Sequence, residues 1–240
     1  MTKVKESIIV LKYPNITFEP IGKASKSYYI TPELFEKQLL WLMDWRYNPL
    51  SGDEFKRFLF EGLDIPFKSF FLVFEGGYKN FKKYAYPILK RYKMPALIFL
   101  VVNYIGDFNR WENGKEPILA IDEISELNKT TMITFGLQSK SHKDLTKISE
   151  VELDDEITSA KYLIEEIVRY KVEYFNYPYG KTNPAICNKL EEAGFTIAFI
   201  NKFEQVTSLD SFYRIPAVKM SQKDGYLSFL TKIRLLERKS

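Results

Sequence analysis

The stretch that decides the fold is "SFFLVFEGGYKNFKKYAYPILKRYKMPALIFLVV", from Ser69 to Val102. An apolar run, a polar turn, a segment of helical period and a second apolar run follow one another in it. Apolar residues of the third part recur at the spacing of one helix face, and they are Phe81, Tyr84, Ala85, Ile88, Leu89 and Tyr92. Pro87 predicts that the helix is kinked there or that its first part ends, because proline has no backbone N–H to donate. A buried strand, a crossover helix and a second buried strand form the repeating unit of a parallel sheet.

The same alternation continues on both sides of this stretch. The runs "IIVLKY", "TMITFGL", "VEYFNYP", "FTIAFI" and "YRIPAV" predict further strands. Helix starts are marked by Thr31 before Pro32, by a capping box from Ser149 to Glu152, and by Asn183 before Pro184. The predicted fold class is α/β, a single distorted and incomplete (β/α) barrel, because the strand count falls short of eight. An open doubly wound sheet is the alternative.

Length and composition favour one domain over residues 1–240. We expect a core at about 65–222, with an N-terminal strand and helices at 1–64 packed on it; 240 residues with 45% hydrophobic content are ample for this. The net charge of +4 is spread along the chain, and the basic "KIRLLERKS" is typical of a solvated helix end, which disfavours nucleic acid as a partner. The single cysteine, Cys187, forms neither a disulfide framework nor a cysteine-based metal site.

The apolar runs are too short for membrane insertion. "SIIVL" near the N-terminus is shorter than the core of a signal peptide, and "ALIFLVV" is about a third of a membrane span. We therefore expect no membrane span and a cytoplasmic location for the sequence as given, or an extracellular or periplasmic one if a leader has been removed.

Polar residues follow several of the predicted strands. In a parallel barrel, the loops after the C-terminal ends of the strands carry the functional groups. The residues in that position are Glu75, the segment from Gln138 to His142, Tyr179 with Gly180, and the loop that carries Asp107 and Trp111. Strand order alone therefore predicts that they converge on one rim.

The chain resembles the NodB-homology polysaccharide deacetylases, the fourth family of carbohydrate esterases. The resemblance rests on five ordered stretches: "ITPELFEKQLLWL", the stretch quoted first with its extension to "NYIGDFNRW", "FGLQSKSHKDLTKISEVEL", "YFNYPYGKTNPAICNKLEEAGFTIAF" and "YRIPAVKM". It implies a deformed (β/α) barrel that removes acetyl groups from sugar polymers. It also implies a divalent metal, held by one Asp and two His, that activates a water, with a second Asp as base and a late His as acid.

The first turn departs from the pattern of that family. The family has Phe-Asp-Asp-Gly, and this chain has Phe74, Glu75, Gly76 and Gly77. The base position keeps a carboxylate in Glu75, whereas Gly76 stands at a metal-ligand position without any side chain. The two glycines are typical of a tight turn with positive φ rather than of a phosphate-binding loop.

The second turn departs as well. The family has His-Ser/Thr-x-x-His, and the chain runs from Gln138 to His142. Gln138 offers a neutral amide, which is a weak donor for transition metals. Of the family's three ligand positions, which are Gly76, Gln138 and His142 in this chain, only His142 therefore carries a good ligand. Because the chain has a single histidine, the late catalytic His of the family is absent.

Each candidate has a functional and a structural interpretation. Glu75 is a residual base, or an acceptor for sugar hydroxyls; His142 is a metal ligand, or a structural histidine. Tyr78, Trp111, Tyr179, Gly180 and Arg214 are candidates for substrate binding. In the structural interpretation, Trp111 anchors a loop over the core, and Tyr179 and Gly180 form a turn with no contact to a substrate. Arg214 then pairs with an acidic neighbour.

Three functional hypotheses follow. The first is a deacetylase-like protein of carbohydrate metabolism with an impaired catalytic centre, which binds an acetylated glycan or a partner protein and holds no cofactor, or at most a weakly bound divalent metal such as zinc. The second is an active metal-dependent deacetylase with a rebuilt site, in which Glu75 reaches the metal beside His142. The third is a pure interaction module.

Overall fold

The computed structural model describes residues 7–18, 20, 25–111, 115–207 and 211–238. The strands in these residues are β1 (Ile8–Tyr13), β2 (Asn15–Ile16), β3 (Tyr29–Ile30), β4 (Asn48–Pro49), β5 (Ser69–Phe74), β6 (Ala96–Leu100), β7 (Ile133–Leu137), β8 (Tyr174–Asn176), β9 (Ile197–Asn201) and β10 (Ile215–Lys219). The α-helices are α1 (Pro32–Asp44), α2 (Gly52–Glu61), α3 (Tyr86–Tyr92), α4 (Ile121–Asn128), α5 (Glu150–Asp154), α6 (Ala160–Val168), α7 (Pro184–Glu192) and α8 (Tyr226–Glu237).

Seven parallel strands form a closed barrel. They run in the order β1, β10, β9, β8, β7, β6, β5, and β5 pairs with β1 from Ile8↔Ser69 to Tyr13↔Phe74 to close the ring. The pairing of β5 with β6 covers two residues and that of β7 with β8 covers one, and β4 pairs with the other end of β5, so the ring is distorted. The predicted distorted barrel of fewer than eight strands is confirmed, and its ring is closed. The open doubly wound sheet is not formed.

The first strand is part of the barrel itself. The sequence prediction places residues 1–64 as a layer packed on a core of about 65–222. The structure instead inserts β1 between β5 and β10, and Leu11 lies opposite both Leu72 and Val218. The barrel therefore begins at β1.

The predicted helix starts are observed. Thr31, Ser149 and Asn183 accept hydrogen bonds at the N-termini of α1, α5 and α7, and the capping box at Ser149 is complete. The helix that contains Pro87 begins with a π-helical turn at Phe81–Ala85 and continues as α3. A proline cannot continue the regular hydrogen-bond ladder, so the bulge lies where the sequence predicts a kink.

The sequence prediction missed α2. Ser51 and Glu54 form a capping box at its start, and Gly62 ends it in the left-handed conformation with φ of 63°. The pattern Ser-x-x-Glu followed by Phe55 and Phe58 is visible in the sequence and would have identified the helix.

Side chains of the barrel strands alternate between the interior and the surrounding helices. Val10, Phe71, Phe99 and Phe199 pack in the interior, and their strand neighbours pack against helices. Extended to the C-terminal ends, the same alternation points polar residues inward, among them Lys12, Glu75, Gln138, Asn176 and Lys219. The apolar interior is therefore covered at this end by a polar layer. Among the described residues, no helix combines the length and apolar character of a membrane span.

Candidate functional site

The polar layer at the C-terminal ends of the strands is the candidate site, and it has two halves. We call Lys12, Glu75 and Lys219, with Asn176, the charged half. We call Gly76, Gln138 and His142 the neutral half. Glu75, Gly76, Gln138 and His142 converge there as strand order predicts.

The charged half is held together by an ion pair and a hydrogen bond. Lys219 Nζ lies 3.0 Å from Glu75 Oε1, and Lys12 Nζ donates to Asn176 Oδ1 at 2.5 Å. Burial lowers the pKa of Lys12 to about 8, although the charge of Glu75 acts in the opposite direction. Burial also acts to raise the pKa of Glu75, but Lys219 and Lys12 outweigh it, so the pKa lies below its ordinary value. Glu75 is thus an ionised acceptor at neutral pH.

The neutral half is closed by the amide of Gln138. Its Oε1 accepts the backbone N–H of Gly76 at 2.8 Å, and its Nε2 lies 3.1 Å from Nε2 of His142. Because the amide oxygen faces Gly76, its NH₂ group faces the imidazole, so Nε2 of His142 accepts. Burial lowers the pKa of His142 to about 4, with Glu75 opposing the shift. His142 is therefore neutral, and its buried Nδ1 has no hydrogen-bond partner.

The turn at Gly76 leaves no room for a side chain. Gly76 and Gly77 have φ of 84° and 64°, which agrees with the tight turn that the sequence predicts. A Cβ built on Gly76 would lie 2.7 Å from the ring of Tyr78. Tyr78 therefore fills the space in which an aspartate ligand would begin.

The loop from Gln138 to His142 has a constrained backbone. Ser139 and His142 have φ of 63° and 61°, a left-handed conformation that costs free energy in residues other than glycine. Ser139 Oγ accepts the N–H of His142 at 3.0 Å, and the carboxylate of Glu156 accepts from both the N–H and the hydroxyl of Ser141. These bonds hold the imidazole in one position.

Aromatic side chains cover the neutral half. The ring of Trp111 stacks on His142 with centroids 4.4 Å apart, and its Nε1 donates to the hydroxyl of Tyr78 at 2.9 Å. Both Trp111 and Tyr78 are buried. Tyr179 presents its edge to His142 at 4.9 Å and is 48% exposed. Tyr179 is thus an exposed aromatic residue at this rim, whereas Trp111 is buried against His142.

Three other candidates make none of these contacts. Arg214 directly precedes β10, so it lies at the opposite end of the barrel from the polar layer, and the basic residue of this strand at the rim is Lys219. Asp107 is on the surface and pairs with Arg110 at 3.5 Å. Gly180 has φ of 72°, and a Cβ there would meet the side chain of Asn201.

Three residues of the site were missed from the sequence: Lys12, Asn176 and Lys219. Each lies at the C-terminal end of its strand, at an inward position of the alternation. Counting in twos from the apolar interior residues of "IIVLKY", "VEYFNYP" and "IPAVK" would have indicated all three.

The side chains at the family's ligand positions do not fit a divalent metal. Gly76 contributes no side chain, and Gln138 directs its NH₂ toward the nitrogen of His142 that would coordinate. In the described part of the chain, no group of three or more His, Cys, Asp or Glu side chains has the arrangement of a metal site. The ammonium groups of Lys12 and Lys219 add positive charge beside this position, which further opposes a cation.

In parallel (β/α) barrels the functional groups lie at the C-terminal ends of the strands, which is where this chain has its polar layer. The model of the family described as "Polysaccharide deacetylase" matches residues 63–198, and this chain belongs to that family. The family resemblance seen in the sequence is confirmed.

Relatives and solved structures agree with this assignment. The chain is 26% identical over 214 residues to a poly-beta-1,6-N-acetyl-D-glucosamine N-deacetylase of Staphylococcus aureus strain MSSA476, over 86% of this chain and 72% of the relative. A protein of the same name from Staphylococcus epidermidis is 26% identical over 211 residues, 83% of this chain and 71% of the relative.

Among solved structures, IcaB from Ammonifex degensii superposes with a TM-score of 0.79 at 20% identity and covers 97% of each chain. The Streptococcus pyogenes deacetylase PplD, in complex with acetate, gives 0.81 at 19% identity, over 95% of this chain and 98% of that chain. At this level of identity the two superpositions establish the fold.

Proposed function

We propose that the protein is a polysaccharide deacetylase-like protein of cell-surface or exopolysaccharide metabolism whose catalytic centre is impaired. In this proposal it binds an acetylated glycan, or a partner protein of the same pathway, without appreciable hydrolysis. The relatives named as poly-beta-1,6-N-acetyl-D-glucosamine N-deacetylases support the substrate class.

The observation that carries the proposal is the amide of Gln138. It is bonded both to the Gly76 N–H and to Nε2 of His142. A metal-bound water needs a metal. Gly76 has no side chain and the amide of Gln138 already makes two hydrogen bonds, so His142 is the one potential ligand left of the family's set. Glu75 then has no water of lowered pKa to deprotonate. Its charge serves instead as an acceptor that is held in place by Lys219.

Acetate release tests the proposal. The purified chain is incubated with β-1,6-linked N-acetylglucosamine oligomers and zinc, cobalt or nickel, beside a Glu75→Ala variant and an active deacetylase as positive control. We expect no release above the variant, together with measurable binding of the oligomer by calorimetry. Release well above the Glu75→Ala variant would refute an impaired centre, and a partner found by native pull-down without any glycan binding would favour the interaction module.

The second candidate is an active metal-dependent deacetylase with a rebuilt site. The observation that favours it is the proximity of Glu75 to His142, since the carboxylate charge acts on the pKa of the imidazole. Elemental analysis of protein purified without chelators separates the two candidates. About one metal ion per chain, lost together with activity in Glu75→Ala and His142→Ala, would support the rebuilt site.

A further inference from the structure

Tyr28 places a further exposed aromatic ring at the rim. The residue directly precedes β3 and is 37% exposed. The Nζ of Lys219 lies 5.0 Å from the centre of the Tyr28 ring. The same Nζ lies 3.0 Å from Oε1 of Glu75. The ring of Tyr28 therefore lies beside the charged half, in contact with the ammonium group that pairs with Glu75.

The backbone on both sides of Tyr28 is tied to the end of β10. The N–H of Gln222 donates to the carbonyl oxygens of Lys26 at 3.1 Å and of Tyr29 at 2.8 Å. Gln222 follows β10, the strand that ends with Lys219. An aromatic ring that is already held in place loses little conformational freedom when a ligand packs on it, which favours binding.

The ring of Tyr179 has the same kind of support. The Nζ of Lys181 lies 5.9 Å from the centre of that ring and 2.6 Å from Oδ2 of Asp144. Each of the two exposed rings thus contacts a lysine whose ammonium group is paired with a carboxylate, and a cation over a ring face favours one orientation of the ring. Tyr179 also has φ of 60°, and strained backbone of this kind is concentrated at functional sites.

The two rings are too far apart to contact a single sugar. Tyr28 contacts the end of β10, Tyr179 follows β8, and β9 lies between these strands in the ring. Neighbouring strands are about 4.8 Å apart, so the ends of β10 and β8 are about 10 Å apart. Asn201, at the end of β9, is exposed between them and offers an amide to sugar hydroxyls.

We propose that Tyr28 and Tyr179 are two stacking surfaces for one glycan chain, which runs along the rim from the end of β10, past β9, to the end of β8. The C–H groups on one face of a pyranose ring form an apolar surface, and an exposed tyrosine ring matches it. The ligand is therefore a segment of several sugar units within a polysaccharide. The inference rests on the proposed glycan binding and adds Tyr28, which lies outside residues 63–198, the part that the family model matches.

Calorimetry of the full chain tests the inference with two probes, N-acetylglucosamine and its β-1,6-linked hexamer. We expect the hexamer to bind at least about tenfold more tightly than the monosaccharide. Tyr28→Ala should weaken hexamer binding by at least about fivefold, because it removes one of the two stacking surfaces. Tyr28→Phe should bind the hexamer as the wild type does, because it keeps the ring.

Tyr162→Ala is the matched control. Tyr162 is a tyrosine of α6 that is 68% exposed, and its loss should leave hexamer binding unchanged. Thermal unfolding confirms that each variant is folded. A second measurement uses the wild-type chain alone: in NMR spectra, the ring signals of Tyr28 and Tyr179 should shift when the hexamer is added, and that of Tyr162 should not.

The possible failures are distinguishable. If Tyr28→Ala binds the hexamer as tightly as the wild type, or the Tyr28 ring signal does not shift, glycan binding stands and the role of Tyr28 is overturned. Equal losses in Tyr28→Phe or Tyr162→Ala overturn it too, because the ring face at position 28 would not be what matters. A monosaccharide that binds as tightly as the hexamer overturns the extended chain. If neither probe binds the wild type, the proposed glycan binding fails together with the inference.

Discussion

The two halves of the rim lie on one layer of one barrel and are stabilised in different ways. The neutral half is a hydrogen-bonded bridge from Gly76 through Gln138 to His142, covered by Trp111. The charged half depends on charge, with Glu75 between two lysines. The neutral half contains Gly76, Gln138 and His142, to which the family resemblance of the sequence assigns metal-ligand positions, and the charged half contains Glu75, to which it assigns the position of the base. One layer of side chains can therefore keep a specific geometry in two ways, by hydrogen bonds in one half and by charge in the other.

The largest loss of stability is expected from a substitution in the charged half. Glu75→Gln leaves two neighbouring ammonium groups without their carboxylate, so we expect the free energy of unfolding to fall by about 3 kcal/mol. Urea unfolding measures it. The matched control is Glu204→Gln, which breaks an exposed pair with Lys202 and should change stability by less than about 0.5 kcal/mol. Equal losses in the two variants would mean that the charged half has no special energetic role.

The neutral half should be sensitive to acid. The pKa of His142 is about 4 in the folded chain, and its ordinary value is 6.5. Between these values the unfolded chain binds a proton that the folded chain does not, so stability is lost as the pH falls from 6.5 to 4. The expected loss is about 2 to 3 kcal/mol. Urea unfolding from pH 7.5 to 4 measures it against His142→Gln, which should lack this part of the slope. Parallel pH profiles would contradict the prediction.

Restoring one ligand should not restore the metal site. We expect Gly76→Asp to cost about 2 kcal/mol, because the residue has positive φ and its Cβ would lie 2.7 Å from the ring of Tyr78. It should also add no zinc binding in equilibrium dialysis.

Gly225→Asp is the matched control for that change. Gly225 is the N-cap of α8 and has open space around it, so an aspartate there should be neutral or slightly stabilising. Tight zinc binding by Gly76→Asp alone would show that the neutral half still has the geometry of a metal site.

Lys12 should reduce the stability of the free protein. Its ammonium group is buried, and burial lowers its pKa to about 8, so Lys12→Met should raise the free energy of unfolding by about 1 to 2 kcal/mol. Thermal unfolding at pH 7 measures the change. A large destabilisation would mean that the ammonium group of Lys12 stabilises the fold.

The smallest change in stability is expected when a divalent metal is added or removed. A ligand at a hundred times its dissociation constant stabilises a folded protein by about 2.7 kcal/mol. Because the neutral half does not fit a divalent ion, we expect zinc and EDTA to leave the unfolding temperature unchanged within about one degree. The matched comparison is a family member with all three ligands, which should be stabilised by zinc. A comparable zinc-dependent shift in this chain would favour the rebuilt metal site.

Much of the fold can be predicted from local patterns in the sequence. The strand at Ser69–Phe74, the kinked helix that follows it and the caps at Thr31, Ser149 and Asn183 were all predicted, because period and capping chemistry act over a few residues. The sequence also showed that Gly76 and Gln138 offer no good metal ligand, since residue identity decides which atoms can coordinate.

The sequence by itself determined the family, the barrel and the bare ligand positions. Only the tertiary structure decided that β1 closes the ring, that Tyr78 occupies the space beside Gly76, and that Lys12 and Lys219 flank Glu75. The physical reason is distance along the chain. Lys12, Glu75 and Lys219 are far apart in sequence, and their charges act on one another only once the ring is closed and water is excluded.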